Sequence, residues 1–174
     1  RVLSHFGLKV LRKTRRPGLN KLFNILRMNK STLTEDDIAF MITPRINAAS
    51  RMGSPRDAFE LLITEDEGKA EALARHLDGI NNERKGVVAG IVKEAKHHIK
   101  TRFENFGEKS VIVVGNPEWR PALLGLAANS IAEEYRRPVF LWGRDNGNGI
   151  KGSCRSDGAT DLVALMERAN GHFL

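Results

Sequence analysis

The feature that most constrains the fold is a stretch of about forty residues, from Thr64 to about Phe103, with the pattern of one long helix. Thr64 and Glu67 stand at the spacing of a capping box. Apolar residues then recur at helical intervals: Leu73, Leu77, Ile80, Val87 and Ile91. Three glycines, Gly79, Gly86 and Gly90, weaken the helix. At 1.5 Å per residue it would be about 55 Å long, which is more than a small domain needs. We therefore predict a bridge between two lobes, bent at a glycine.

The sequence before the bridge predicts only helices. In residues 1–13 the apolar residues fall on one helical face: Val2, Leu3, Phe6, Val10 and Leu11. Thr34, followed by three acidic residues, predicts a helix start. Pro44 disfavours helical backbone at Thr43, so we expect a new element to begin there.

After the bridge the periodicity changes to that of strands alternating with helices. The predicted elements are a strand at 110–114, a helix at 121–136, strands at 138–142 and 150–156 around an Asn-Gly turn, and a helix at 161–169. A strand–helix–strand unit followed by a hairpin is a small α/β lobe with a mixed sheet. The predicted fold class is therefore α/β, with a helical part over 1–63, a linking helix over 64–106 and a C-terminal lobe over 107–174.

The positive charge of the chain is concentrated at its start. The net charge is +7, yet the first thirty residues carry nine basic side chains and no acidic one. Such a segment suits a phosphate backbone. It equally suits a solvated surface whose acidic partners lie elsewhere in a longer protein. We interpret this chain, which begins at Arg1, as a piece cut from such a protein. No apolar run is long enough to span a membrane, and the single cysteine, Cys154, excludes an intramolecular disulfide. We expect a cytoplasmic protein.

Two segments combine arginines with small residues and are candidates for holding phosphate. In Pro44–Arg51, Arg45 and Arg51 could bind phosphate oxygens while Asn47 adds a hydrogen bond. A helix-packing turn whose arginines satisfy carbonyl groups is the alternative. In Lys151–Ser156, alternation places Ser153 and Arg155 on one strand face, as in a phosphate clamp. A charged edge strand is the alternative there.

Two further segments carry weaker signals. Gly171 before His172 could place an imidazole beside an anion, or could be a helix cap followed by a surface histidine. The turn Gly115–Arg120 leads into a helix, whose free N–H groups could hold an anion. Gly115 and Gly125 do not form a dinucleotide-binding fingerprint. We find neither a cluster of Asp and His fit for metal-dependent phosphodiester cleavage nor a nucleophile–base pair.

These motifs, taken in order, resemble the RecJ single-stranded-DNA-specific exonucleases of the Asp-His-His phosphoesterase superfamily. The matching stretches are Gly7-Leu8, Arg16–Leu19, Pro44–Arg51, Leu61–Thr64, Glu118–Pro121, Leu124-Gly125, Arg137–Val139, Lys151–Ser156 and Gly171-His172. The chain departs from the family at a few positions, where Arg120 replaces His, Ser50 and Cys154 replace Gly, and Asn170 replaces the first Gly of Gly-Gly-His.

The resemblance implies a two-lobe nuclease with DNA in the cleft between the lobes. Residues 1–63 would end the first lobe, whose metal-binding motifs lie upstream of Arg1, and 107–174 would form most of the second. By motif, Arg45, Asn47 and Arg51 would face the substrate, Ser153 and Arg155 would hold a DNA phosphate, and His172 would lie near the scissile end. The chain alone would bind no metal and would be inactive.

The implied whole enzyme would use Mn²⁺ or Mg²⁺ to activate the attacking water. Its partners would be single-stranded DNA and, by the resemblance, a single-strand-binding protein. We expect a monomer with no membrane partner. Two other functions stay open at this point: a phosphoesterase of the same superfamily acting on oligonucleotides or dinucleotides, and a non-catalytic nucleic-acid- or tRNA-binding module.

Overall fold

The computed structural model describes residues 2–102, 111–145, 147 and 149–170. They form two compact units, Arg1–Arg84 and Lys85–Leu174. The α/β fold class is confirmed, because short helices precede one long helix and a three-stranded mixed sheet follows it. The long helix contributes residues to both units.

The first unit is helical. Its elements are α1 (Val2–Arg12), α2 (Pro17–Ile25), a 3₁₀ turn (Lys30–Thr32), a π-helix (Asp37–Ile42), α3 (Thr43–Met52), α4 (Pro55–Ile63) and the first half of α5 (Glu67–Arg102). Their apolar faces meet in one core around Leu22, Phe23, Leu33, Leu61 and Leu77. Helices α2 and α4 approach closely at Gly18, where a Cβ would lie 1.8 Å from the carbonyl oxygen of Leu61.

Most of the apolar face predicted for α1 is exposed. Val2, Leu3, Phe6 and Val10 are exposed, whereas Leu8 is buried. The reason is tertiary, because α1 packs against the 3₁₀ turn and Arg12 Nε donates to the Leu33 carbonyl oxygen at 3.0 Å. The widest apolar stripe of this helix is therefore not the side that the rest of the unit covers.

The prediction of non-helical backbone at Thr43 was wrong, although a new element, α3, begins there as predicted. Thr43 is helical, with φ −55° and ψ −40°, and its N–H donates to the Ile38 carbonyl oxygen five residues back. A proline inside an α-helix lacks the amide hydrogen and presses on the carbonyl group four residues earlier. The wider π turn lies at this point and lets the chain stay helical into α3.

The cap of the long helix is two positions away from the predicted one. Helix α5 begins at Glu67, and Asp66 Oδ1 accepts from the Lys69 N–H at 2.6 Å. Thr64 Oγ1 instead accepts from the Asp66 N–H in a short turn. The carboxylate is the N-cap because the chain turns helical only after it.

The second unit contains a sheet with one face covered by a helix. Its elements are the second half of α5, β1 (Ile112–Gly115), α6 (Pro121–Tyr135), β2 (Val139–Arg144), β3 (Ile150–Arg155) and α7 (Leu162–Ala169). The strand order is β1-β2-β3, with β1 parallel and β3 antiparallel to β2. The core lies between α6 and the sheet, with Leu123, Leu124, Ile131, Val139 and Leu141 almost completely buried. An ion pair between Lys96 and Glu134 joins α5 to α6.

Candidate functional site

Ser153 and Arg155 come together on the face of β3 that α6 covers. They pair in register with Leu141 and Val139, whose side chains are buried on that face. A Cβ added at Gly125 of α6 would lie 3.0 Å from both Ser153 Oγ and Arg155 Nη2. The hydroxyl and the guanidinium therefore converge on a place that the missing side chain of Gly125 leaves open. This matches the shared face predicted from strand alternation.

The arginine of this pair is oriented and accessible. Arg155 Nη1 donates to the Cys154 carbonyl oxygen at 2.7 Å, which fixes the plane of the guanidinium. The residue itself is exposed, and Ser153 is half-buried. A hydroxyl beside an exposed guanidinium is an arrangement that binds an oxyanion through charge-assisted hydrogen bonds.

The strand that carries the pair is held by its own turn. Asp145 Oδ1 accepts from the N–H groups of Gly147 and Gly149, each at 3.0 Å, and Lys151 Nζ lies 2.7 Å from Asp145 Oδ2. The hydrogen bond from Lys151 is the main cause that lowers the pKa of Asp145. Lys151 is thus paired across the turn.

The turn after β1 is tied to α5 by one carboxylate. Glu94 Oε2 accepts from the buried indole Nε1 of Trp119 at 2.8 Å, and Glu94 Oε1 accepts from Asn116 Nδ2. His98 Nε2 lies 3.6 Å from the same carboxylate. The indole hydrogen bond is the main cause that lowers the pKa of Glu94, against an opposing effect of burial. The turn Gly115–Arg120 is therefore tied to α5 through Asn116 and Trp119.

This carboxylate predicts a pH-dependent contribution to the stability of the second unit. Because the folded-state pKa of Glu94 is depressed, its contribution is present above the unfolded pKa and is lost as the pH falls through the folded pKa. We expect Glu94→Gln to lower the melting temperature at pH 7 by about 2–4 °C, a modest value because the group is half exposed. The difference from the unsubstituted chain should shrink toward pH 3 in thermal melts followed by circular dichroism. A constant difference from pH 7 to pH 3 would contradict the assignment.

In the first unit, Arg45 is buried rather than presented to solvent. Its Nε donates to Asp78 Oδ1 of α5 at 3.0 Å, and its Nη1 donates to the Met41 carbonyl oxygen at 2.7 Å. Only 8% of the side chain is exposed. These contacts match the packing alternative, in which the arginine satisfies a carbonyl group. They anchor α3 to α5.

Asn47 and Arg51 lie on the exposed side of α3. They are four residues apart, so they share one helical face. The two alanines between them, Ala48 and Ala49, are fully buried in the core and not at a surface where another chain could approach. The accessible polar pair of this motif is therefore Asn47 with Arg51.

Sequence reasoning missed two residues that complete these arrangements. Asp78 holds Arg45 from 33 positions along the chain, and no local pattern marks such a separation. Gly125 was considered for a dinucleotide fingerprint and as part of a matching stretch, but not as a part of the site. A glycine inside an otherwise apolar helix was the available signal, because it marks a close approach.

Other expectations fall outside these sites. His172 lies outside the described residues, as does Gly171. Among the residues that the structure describes, no three His, Cys, Asp or Glu side chains gather into a possible metal site. In the same part of the chain, no helix combines the length and apolar composition that crossing a bilayer requires.

This chain is similar in sequence to one group of nucleases. It is 32% identical over 157 residues to the single-stranded-DNA-specific exonuclease RecJ of Bacillus subtilis, covering 90% of this chain and 20% of that protein. For the Haemophilus influenzae RecJ the identity is 32% over 170 residues, covering 97% of this chain and 30% of that protein. The chain thus spans about a fifth to a third of the length of these relatives. No protein-family model matches it.

Solved structures agree with the sequence comparison. The structure of RecJ with Mg²⁺ from Thermus thermophilus superposes with a TM-score of 0.78 at 30% identity, covering 95% of this chain and 24% of that one. A second structure, exonuclease RecJ bound to manganese, superposes with a TM-score of 0.74 at 31% identity, covering 95% of this chain and 39% of that one.

Proposed function

Because this chain is homologous to a segment of the RecJ single-stranded-DNA-specific exonucleases, we propose that it is the nucleic-acid-binding portion of such an enzyme. In that enzyme, phosphodiester bonds of single-stranded DNA would be hydrolysed. The observation that carries the proposal is the convergence of Ser153 Oγ and Arg155 Nη2 beside Gly125. A strand phosphate placed there would accept from both groups and would offset the charge of the exposed guanidinium.

In the first unit, the proposal assigns strand contact to Asn47 and Arg51. Both are exposed and stand one helical turn apart on α3. Arg45 is a positioning residue, because its hydrogen bonds to Asp78 and to the Met41 carbonyl oxygen hold α3, the helix that carries the exposed pair. His172 is proposed, by the resemblance alone, to lie near the scissile end of the strand.

The divalent ion of the proposed enzyme is not attributed to these residues. The solved RecJ structures contain Mg²⁺ or Mn²⁺, whereas the described part of this chain brings together no three His, Cys, Asp or Glu side chains that could hold either ion. The residues do not fit the ion, and we derive no step through it. We expect the purified 174-residue chain not to degrade single-stranded DNA with either metal. We also propose that the protein is a cytoplasmic monomer and that it binds a single-strand-binding protein.

The experiment that tests the proposal uses Gly125→Ala. A methyl group there would crowd the ends of Ser153 and Arg155, both flexible, so folding should tolerate it, and alanine in a helix is favoured over glycine by about 1 kcal/mol. Binding of a fluorescent single-stranded oligothymidylate, followed by anisotropy, should weaken about 3- to 10-fold. We expect the melting temperature to stay level or rise.

The control for this substitution is Gly86→Ala, because a Cβ at Gly86 in α5 would meet nothing within 4 Å. Its oligonucleotide affinity should equal that of the unsubstituted chain. Unchanged affinity in Gly125→Ala, or no measurable affinity in the unsubstituted chain at low salt, would refute the proposed clamp.

We expect the basic side chains of the first thirty residues to contribute little to the salt dependence of oligonucleotide binding. Several of their cations are engaged within the unit: Arg12 with the Leu33 carbonyl, Arg16 with the Leu62 carbonyl, Lys21 with Glu67, and Lys30 with the Thr14 carbonyl. Replacing four exposed cations by glutamine, Lys9, Lys13, Arg15 and Arg27, tests the others that the structure describes without removing the buried Leu22 and Phe23. We expect the slope of log affinity against log salt to change by less than about 0.7, the value for one single-strand phosphate contact. A change of about 1.4 or more would assign this surface to DNA instead.

A further inference from the structure

The buried side of α5 changes character in the middle of the helix. In the first unit Ala70, Ala74 and Leu77 are fully buried, at the alternating spacing of four and three that keeps one face inward. The next two positions of that series are Asn81 and Arg84. In the second unit the series resumes with the buried apolar residues Ile91 and Ala95. Two polar side chains therefore occupy core positions of an otherwise apolar stripe.

These two side chains lack the hydrogen bonds that burial demands. Asn81 has no exposed surface, and neither its amide nitrogen nor its amide oxygen has a partner among the described residues. The Nε of Arg84 is likewise buried without a partner there. Buried polar atoms are nearly always paired in native proteins, because leaving one unpaired costs free energy. These atoms therefore mark a place where a bound group would gain hydrogen bonds.

The charges around Arg84 indicate whether a group bound there would be an anion or a cation. Burial is the main cause that lowers the pKa of Arg84, and the charges of Arg51 and Arg45 lower it further. The nearby carboxylate, Asp78, stands one turn before Asn81 and is bound to Arg45 Nε. The positive charges of Arg51 and Arg45 thus both act on Arg84, and a group that suits this surrounding charge is an anion.

We propose that Arg84 binds an oxyanion of phosphate, with Asn81 as the residue that positions it. The two are three residues apart on one face of α5, and their free atoms are complementary: the Asn81 oxygen accepts and the Arg84 Nε donates. Arg84 is only half-buried, so part of its guanidinium is accessible to a ligand. The phosphate is that of single-stranded DNA, and this choice of source rests on the proposed function.

The test compares three variants of the whole chain in oligothymidylate binding. Arg84→Gln should weaken binding about tenfold and reduce the salt slope by about 0.7, the loss of one phosphate contact. Arg75→Gln is the matched control. It removes the same charge from the same helix, but Arg75 is exposed and paired with Glu71, so its affinity and slope should not change.

Asn81→Leu separates a binding role from a structural one. Leucine continues the apolar stripe and removes the unpaired amide, so the melting temperature should rise while the oligonucleotide affinity falls about threefold or more. A purely structural asparagine would show the reverse, with a lower melting temperature and unchanged affinity. That result, or unchanged affinity in Arg84→Gln, would overturn the proposal.

Inorganic phosphate distinguishes this inference from the proposed function. Phosphate titrated into the labelled chain should shift the Arg84 Nε–H resonance in nitrogen–proton correlation spectra, and it should not shift that of Arg75. If the chain binds no oligonucleotide but this shift occurs, the oxyanion site stands with free phosphate as its ligand and the proposed function fails. If Arg155→Ala weakens binding but Arg84→Gln does not, the proposed function stands and the Arg84 site is wrong. The Arg84 site would also be refuted if phosphate did not shift the Arg84 resonance and the oligonucleotide affinity of Arg84→Gln were normal.

Discussion

Gly18→Ala is expected to destabilise the first unit more than any other single methyl group added to it. The new Cβ would lie 1.8 Å from the Leu61 carbonyl oxygen and 2.8 Å from its carbonyl carbon. These are backbone atoms of α4, so neither can move aside without moving the helix. We expect a loss of about 3 kcal/mol, at the upper end for overpacking, and a fall in melting temperature of about 6–12 °C. Thermal and urea unfolding followed by circular dichroism measure it.

The control for this substitution is Gly79→Ala, which adds the same methyl group to a helix of the same unit. Nothing lies within 4 Å of the new Cβ, so the exchange should stabilise the chain by roughly 0.5–1 kcal/mol. Opposite signs for the two substitutions would identify Gly18 as the contact at which α2 meets α4. Equal and small effects would show that the two helices can separate without cost.

Arg155→Ala is expected to have the largest effect on oligonucleotide binding of any substitution in the second unit. It removes the exposed guanidinium whose Nη2, like Ser153 Oγ, would lie 3.0 Å from a Cβ placed on Gly125. Charge-assisted hydrogen bonds contribute roughly 1.5–3 kcal/mol, so we expect single-strand affinity to fall about 10- to 100-fold. Ser153→Ala removes a neutral hydroxyl and should lose less. Fluorescence anisotropy at low salt measures both.

Arg144→Ala provides the matched control for Arg155→Ala. Arg144 is also an exposed arginine at a strand end of the same sheet, paired in register with Ile150 and away from Gly125. Removing its charge should leave affinity within about twofold. Equal losses in the two variants would mean that the sheet attracts DNA by diffuse charge, and the clamp would be wrong.

Local patterns were sufficient to predict the elements of this fold. The change from helical spacing in α5 to a short apolar run in β1 separates the helical part from the sheet, because the two structures bury side chains with different periods. The Asn-Gly turn predicted the antiparallel pairing of β2 with β3, which brings Ser153 and Arg155 onto one face. That pairing needs only neighbouring residues and so can be predicted from sequence.

The caps and the helix before Pro44 were harder to predict. Thr64 and Asp66 can each cap a helix, and the choice depends on where the backbone first turns. At Thr43 the local preference against helix yielded to a π turn in a packed unit. In α1 the buried side is the one that meets the 3₁₀ turn, which local hydrophobicity does not reveal.

By itself the sequence determined the fold class, the presence of the long helix and the shared face of hydroxyl and guanidinium on β3, since these follow from periodicity and neighbouring residues. Only the tertiary structure decided that Arg45 is a buried anchor while Arg51 is exposed, because that depends on Asp78, 33 residues away. It also decided that Asn81 lies unpaired in a core position. Burial and hydrogen-bond partners are properties of packing between distant segments, and no spacing along the chain contains them.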